Sequence, residues 1–377
     1  MSGAAICHHH ADLDTLAPAW DELWSRSPVA TPFQTHAWVS AWARAYVPDG
    51  RLVVATVWDD DVLVAAAAMH RVRRGAVPVL APLGGDLADH TDVLIDPRVP
   101  DAGARLTAAL LSERGWRVVD LPESMPGAMA HAWAQSWPGA VHRAPGSLNL
   151  HLPVAPVADL LGRLPARTAS TLRRKIRKVE QLGVERTELA PADVAGAIPG
   201  LVRLHESQWA GRRGNPEHLT ERFRTFLGEA LPAMVAREQA IVVEYRVDAE
   251  LVAAEVDLIG HRQLAYYLAG VSPTLRERID TAVLLVSSAL DRATRLGLEE
   301  YSFLRGDEDY KFRWRPEEAV ATRLLLARPG LLGSGGYVAV TATSAALLDL
   351  ARRLLRGRAR ELARTVMHAV RVVRARG

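Results

Sequence analysis

Phe303-Leu304-Arg305-Gly306-Asp307-Glu308-Asp309-Tyr310-Lys311-Phe312-Arg313-Trp314 is the stretch around which the chain is organised. An aromatic and aliphatic strand end runs into a glycine, three acids, a Tyr-Lys pair and a cation beside a tryptophan. Glycine at a strand end permits a sharp turn or a close backbone approach. Such a turn exposes Asp307, Glu308 and Asp309 before Tyr310 and Lys311 re-enter an aromatic setting, which is the pattern of a site. The plainer alternative is a β-turn with a solvated acidic tip and a lysine lying over Trp314.

At 377 residues the chain is long enough for two domains, because single hydrophobic cores stop growing below that length. Its 49% hydrophobic and 24% charged residues exclude a disordered protein. Cys7 is the only cysteine, so an intramolecular disulfide and a cysteine-based metal site are excluded, as suits a reducing cytoplasm. His8, His9 and His10 sit at an unanchored terminus where disorder is the default, so no metal is expected there. Met1 to His10 lacks the basic start and apolar stretch of a secretory signal, and no window reaches the roughly 18 apolar residues of a membrane span. The net charge of +3 conceals an uneven spread: from Arg352 to Arg376 nine arginines face one acid, Glu361. A tail of that kind meets anionic surfaces.

Apolar residues at helical spacing predict helices over 13–24 and 37–46. Two β-rich runs, Leu52 to Trp58 and Val62 to Met69, flank Asp59-Asp60-Asp61, a hairpin signal. A third run, Val77 to Leu83, is followed by a polar loop in which Asp89 and Asp92 flank His90. A helix over 102–112 and a strand over 116–121 complete an α/β pattern. The second half repeats it, since residues 242–254 match the strand, acidic turn and strand of 53–65, and each half places two helices before its hairpin. Two copies of one α/β unit are therefore expected, over 1–146 and 147–328, each a mixed sheet flanked by helices.

Between the copies a strand over 147–152 enters a linker punctuated by Pro153, Pro156 and Pro165. A helix over 167–182 follows, with a narrow apolar stripe and a basic face of Arg173, Arg174, Lys175, Arg177 and Lys178. That face is either simply solvated or a seat for a phosphate-bearing partner. Further on, a strand over 263–270, a loop over 271–280 carrying Arg276 and Arg278, and a helix from Thr281 capped by Asp280 stand in succession. Free backbone N–H groups and the helix dipole can hold a pyrophosphate in such a place. Beyond a glycine-rich linker that begins at 329, apolar residues keep helical spacing to Val373. They predict a basic amphipathic helix that packs on the body or a second subunit, lies on an anionic membrane surface, or touches nucleic acid. No serine-nucleophile elbow, zinc motif, P-loop or dinucleotide fingerprint appears, so hydrolase, kinase and dehydrogenase readings have no support.

The run Leu304 to Asp307 with Tyr310 to Trp314 resembles the closing motif of the BioF2-like/CelD-type acyltransferases of the GNAT superfamily, whose structural cousins are the Fem aminoacyl transferases. Pro32-Phe33-Gln34-Thr35-His36-Ala37-Trp38 and Leu172 to Lys178 fit the same family, so the likeness spans residues 15–325. It implies tandem GNAT-like units and an N-acyltransferase that moves an acyl group from acyl-CoA, with acetyl-CoA first in line, to an amine or amino sugar without a metal. Tyr310 then donates a proton to the departing thiolate or ribose oxygen, Lys311 stabilises an oxyanion or phosphate, and Asp307 orients or deprotonates the amine. Arg276, Arg278, Thr281 and Tyr267 are the expected cofactor-binding residues. Asp89, Asp92, Glu255 and Trp314 are the expected substrate-binding residues, with Asp257 as a further candidate carboxylate. The superfamily's glycine-rich loop is absent: Arg276 to Asp280 stands in its place, and Asp280 repels a phosphate. Aminoacyl-tRNA as donor, bound through the basic helix and tail, is the alternative implied by the Fem-like cousins. A non-catalytic ligand-binding or scaffolding protein on the same fold is the other. The expected location is the cytoplasm, at the periphery of the inner membrane.

Overall fold

The computed structural model describes residues 3–209 and 215–330. The basic amphipathic helix expected beyond the glycine-rich linker lies outside the described residues. In chain order the strands are β1 (Gly3–Cys7), β2 (Leu52–Asp59), β3 (Val62–Arg74), β4 (Val77–Pro82), β5 (Leu94–Ile95), β6 (Val118–Ser124), β7 (Val141–Pro153), β8 (Glu185–Glu188), β9 (Ala240–Val247), β10 (Glu250–Ile259), β11 (Gln263–Val271), β12 (Glu300–Arg305) and β13 (Glu317–Ala327). The helices are α1 (His10–Thr15), α2 (Ala17–Arg26), α3 (His36–Tyr46), α4 (Ala102–Ser112), α5 (Met129–Gln135), α6 (Val157–Gly162), α7 (Ala166–Gln181), α8 (Pro191–Trp209), α9 (Glu221–Ala236), α10 (Pro273–Arg278), α11 (Thr281–Arg295) and α12 (Asp309–Phe312).

They form two compact units, each discontinuous in sequence where two contiguous segments were expected. Among the described residues the first takes 3–29, Pro48–Ser147 and 320–330, and the second takes Ala30–Val47 and Leu148–Ala319. Both are mixed sheets flanked by helices, with one topology. In the first, β2, β3 and β4 form an antiparallel meander, β6 lies parallel to β4, and β13 pairs antiparallel with β6. In the second, β9, β10 and β11 form the meander, β12 lies parallel to β11, and β7 pairs antiparallel with β12. The strand that closes each sheet therefore comes from the other half of the sequence.

The hairpins repeat down to a bulge. Trp58 pairs with Leu63 and Val57 with Ala65, leaving Val64 extra. Likewise Arg246 pairs with Leu251 and Tyr245 with Ala253, leaving Val252 extra. One extra residue sharpens the twist of a strand. The acidic turns place Asp60 and Asp248 at φ 51 and 50, left-handed backbone that aspartate tolerates better than most residues.

The first unit's core gathers Trp116, Trp133 and Trp137 with Leu106, Leu110, Leu324 and Leu326. Each buried indole N–H finds an acceptor, in Leu110 O at 3.1 Å, Thr107 Oγ1 at 2.8 Å and Ala327 O at 2.8 Å. In the second unit α7 and α11 cover one side of the sheet, while α3, α8 and α9 pack together on the other. Gly270 lets α8 lie directly on β11, since a Cβ there would meet Leu201 O at 2.6 Å and the backbone nitrogen of His205.

Three expectations change. Residues 273–278 form α10 rather than a loop, because Ser272 accepts from Leu275 N at 3.2 Å and Pro273 takes the first helical position. The proline-punctuated linker holds α6. The terminus expected to be disordered pairs along β2, and His8 and His9 reach Leu52 O and Asp49. Among the described residues no His, Cys, Asp and Glu group could hold a metal ion, and no helix is long and apolar enough to cross a membrane.

Candidate active site

Parallel strands β11 and β12 pair over only three residues, 263–265 with 300–302, and then part. A bulge follows on each strand. On β11, Asp257 pairs with Tyr266 and Val256 with Leu268, so Tyr267 is extra. On β12, Ser302 faces His151 and Arg305 faces Asn149, which leaves one residue too many between them, and Leu304 takes φ 56. Left-handed backbone at a leucine costs about 1–3 kcal/mol and persists only when its surroundings enforce it. Lys311 enforces it. Its buried ammonium donates to Phe303 O at 3.0 Å and Arg305 O at 3.1 Å, on either side of Leu304, and pairs with Glu308 at 2.8 Å. Gly306, at φ 120, then turns the chain toward α12 and Tyr310.

All three protons of that ammonium have acceptors within one turn. Lys311→Met leaves two carbonyls without them, and a melting temperature lower by roughly 5–10 °C is expected from the lost charged hydrogen bonds. A variant that melts with the parent and loses only activity would instead place the ammonium in the chemistry.

The second feature lies on the side of β10 and β11 covered by α11. Glu255 and Asp257, two residues apart on β10, are both 0% exposed. Arg292 of α11 bridges them, donating to Glu255 Oε2 at 2.6 Å and, from Nε at 3.1 Å, to Asp257 Oδ2. Tyr245 accepts from Arg292 at 3.2 Å and donates to Glu255 Oε2 at 2.6 Å. Glu255 Oε1, Asp257 Oδ1 and the Tyr301 hydroxyl are buried with no hydrogen-bond partner. Such atoms are rare in native interiors, and their clustering marks a place for a ligand or a mobile proton.

Two carboxylates against one guanidinium leave an excess of negative charge in a dry interior. Burial, and then the charge of Glu255, push Asp257 up to about 7. Burial opposes the charge of Arg292 too, but Asp257 and Glu255 hold it above the ordinary arginine range. The phenols respond in the same sense. Burial first, and then neighbouring groups that include Glu255, push Tyr266, Tyr301 and Tyr310 up, so Tyr310 keeps its proton through neutral pH.

Among its described residues the first unit has no such cluster at the matching positions. Counted from the shared bulges, Tyr245, Glu255 and Asp257 correspond to Val57, Ala67 and Met69, which belong to the first unit's apolar core.

The anion seat expected ahead of α11 is already filled. Asp280 caps α11, accepting from Val283 N at 3.4 Å through Oδ1, and its Oδ2 binds Lys175 of α7 at 2.5 Å and Arg313 at 2.8 Å. Burial works against this charge, yet the bond to Lys175 and the field of Arg313 hold Asp280 below its ordinary value. A diphosphate does not fit a helix N-terminus whose N–H groups and cations already serve a carboxylate.

The other expected residues are divided among several settings. Arg276 donates to Gln208 O at 3.3 Å, Arg278 is exposed in the last turn of α10, and Thr281 opens α11. Tyr267 packs edge-on to Trp38 at 5.1 Å and Phe33 at 6.1 Å. Asp307 is half-buried in the turn, and Trp314 sits in the core with Phe303 and Leu172. Asp89 and Asp92 belong to the first unit. Asp92 accepts from Val93 N at 2.8 Å, Met129 N at 2.9 Å and Ala130 N at 2.6 Å, and burial pushes it up to about 7 despite those bonds. Arg292 and Tyr245 are not among the residues expected from the sequence. Their signal is weak: an acid pair at i and i+2 in an otherwise apolar strand, and an arginine on the apolar side of α11.

Residues 166–312 match the family model described as an acetyltransferase (GNAT) domain. No curated protein sequence matches the chain. Three solved structures share its fold. FemX, at 10% identity, covers 82% of this chain and 95% of its own, with a TM-score of 0.58. A conserved protein of unknown function from Bacteroides thetaiotaomicron, at 13% identity, covers 86% and 100%, with a TM-score of 0.54. L-PGS from Bacillus licheniformis, at 10% identity, covers 88% and 95%, with a TM-score of 0.53. The likeness to all three is one of fold.

Proposed function

We propose that the second unit is an N-acyltransferase of the BioF2-like/CelD type, moving an acyl group from an activated ester or thioester to the amine of a small acceptor at the fork between β11 and β12. One observation carries this reading: of two copies of one fold, a single copy replaces core residues with Glu255, Asp257, Arg292 and Tyr245 beside a parallel pair that parts after three rungs. Bulges of this kind recur next to active sites, where they re-aim side chains and end pairing. Backbone edges that no longer bond each other can receive an extended donor chain as an added strand does.

The transfer needs a free amine, a polarised carbonyl and a proton for the leaving group. Tyr310 supplies the proton. Its ring lies 6.3 Å from that of Phe303 on β12, and its hydroxyl stays protonated under the influence of burial, Glu308 and Glu255. Lys311 and Gly306 hold the turn that carries it.

The domain likeness implies acyl-CoA as donor. The carboxylate of Asp280 on the α11 N-terminus favours a second reading, in which the donor is an aminoacyl-tRNA lying on the exposed Arg173, Arg174, Arg177 and Lys178 of α7. Calorimetric titrations with acetyl-CoA and with aminoacylated tRNA at two salt concentrations decide between them. Acetyl-CoA binding supports the first donor. Affinity for tRNA that falls steeply with salt supports the second. Silence toward both overturns acyl transfer and leaves a ligand-binding or scaffolding role.

A further inference from the structure

A chain of two imidazoles runs through the second unit apart from the carboxylate and tyrosine cluster. His205 of α8 holds Nδ1 2.7 Å from Ala269 O, on the stretch of β11 beyond its last rung to β12. A carbonyl only accepts, so Nδ1 carries the proton and the lone pair of neutral His205 is at Nε2. His218, in the turn before α9, places its own Nδ1 3.2 Å from that lone pair. Its Nδ1 must therefore donate as well, which leaves the lone pair of His218 at Nε2.

The geometry is held from several sides. The His218 ring stacks on Phe223 at 4.7 Å and 17°, and α8 is fixed on β11 by its close approach at Gly270. Burial pushes both imidazoles down, His218 to about 3 with His205 and Arg305 adding to the effect, so both rings are neutral at physiological pH. His218 Nε2 makes no hydrogen bond within the described residues, and the side chain is only partly buried. One end of the relay is thus anchored on β11, and the other stands within the field of Arg305, the last residue of β12. These are the two strands that part to form the fork.

We propose that His218 Nε2 is the acceptor that receives the N–H of the attacking amine, with His205 as the positioning residue that locks its tautomer. The inference rests on the acyl-transfer reading. As the C–N bond forms, the amine proton passes to His218 Nε2, the Nδ1 proton of His218 passes to His205 Nε2, and the positive charge ends on His205. The nitrogen keeps its bonding pair in the new amide, and His205 Nδ1–H keeps its bond to Ala269 O. The cation of Arg305 opposes a lasting charge on His218, so the proton moves on to His205.

The test is a long-range proton–nitrogen spectrum of the full chain with labelled histidine, together with transfer kinetics using glucosamine as the amine. Nδ1–H tautomers at both histidines are expected, with the His218 Nε2 signal shifting as glucosamine is added. His218→Asn keeps a donor toward His205 but has no group at the Nε2 position, so kcat/KM for the amine should fall roughly 10²-fold with donor affinity unchanged. An Nε2–H tautomer at His218, or parent kinetics in His218→Asn, overturns the proposal. Locked tautomers in a protein that transfers nothing from either donor would fail the acyl-transfer reading itself and remove the role given to Nε2.

Discussion

Arg292→Ala is expected to cost the folded state about 3–5 kcal/mol, more than any other single change in the site, because it leaves Glu255 and Asp257 buried together with no counter-charge. Tyr245 remains as a donor to Glu255, but a phenol does not neutralise two carboxylates. The pH dependence has a definite sign. A carboxyl whose folded pKa lies above its unfolded value near 4 favours folding fully below that value, and the contribution is lost as pH rises through the folded pKa. Asp257, held up to about 7 by burial in the parent, is already of this kind, and removing the guanidinium drives it further up. The deficit should therefore be smaller at pH 5 than at pH 8. Urea denaturation at the two pH values reads it directly. Combining Arg292→Met with Glu255→Gln and Asp257→Asn removes every charge of this cluster and should recover most of the stability without activity, as replacement of buried ion clusters often does. A deficit under 1 kcal/mol at both pH values would mean that water reaches the cluster.

The parts of this protein legible in its sequence were those decided by a few adjacent residues. Asp59-Asp60-Asp61 and Asp248-Ala249-Glu250 announce their hairpins because short acidic side chains tolerate the left-handed turn, and the structure places Asp60, Asp248 and Ala249 there. Gly306 announces the turn after β12 for the same reason. What long-range pairing decides was hidden. Strands β7 and β13 close sheets whose other strands lie in the opposite half of the sequence, and no local pattern encodes that exchange. Asp280 reads as a helix cap and is one, but its two cations come from 105 and 33 residues away. Lys311 reads as a free cation beside aromatics, whereas the bulge at Leu304 turns two carbonyls toward it. His205 and His218 carry no motif at all, and only the approach of α8 to β11 makes them a pair.

Tyr310→Phe tests the chemistry most directly, because it removes one oxygen and leaves the packing of the ring in place. The contact with Phe303 survives, so the melting temperature should stay within about 2 °C of the parent. The rate of the transfer step should fall roughly 10²- to 10³-fold, the usual contribution of a positioned proton donor. The loss should also depend on the leaving group. A thiol, with a pKa near 8.5, departs as thiolate with little help, whereas a ribose hydroxyl is a far weaker acid and needs its proton in the transition state. Single-turnover rates measured with a thioester and with an oxygen ester of the same acyl group should therefore show the larger deficit for the ester. Burial, Glu308 and Glu255 hold the phenol protonated beyond the ordinary tyrosine range, so the parent rate should show no alkaline fall from this group below pH 10. A deficit of less than threefold with both donors would take the proton away from Tyr310 and reduce the turn that carries it to a closure of β12.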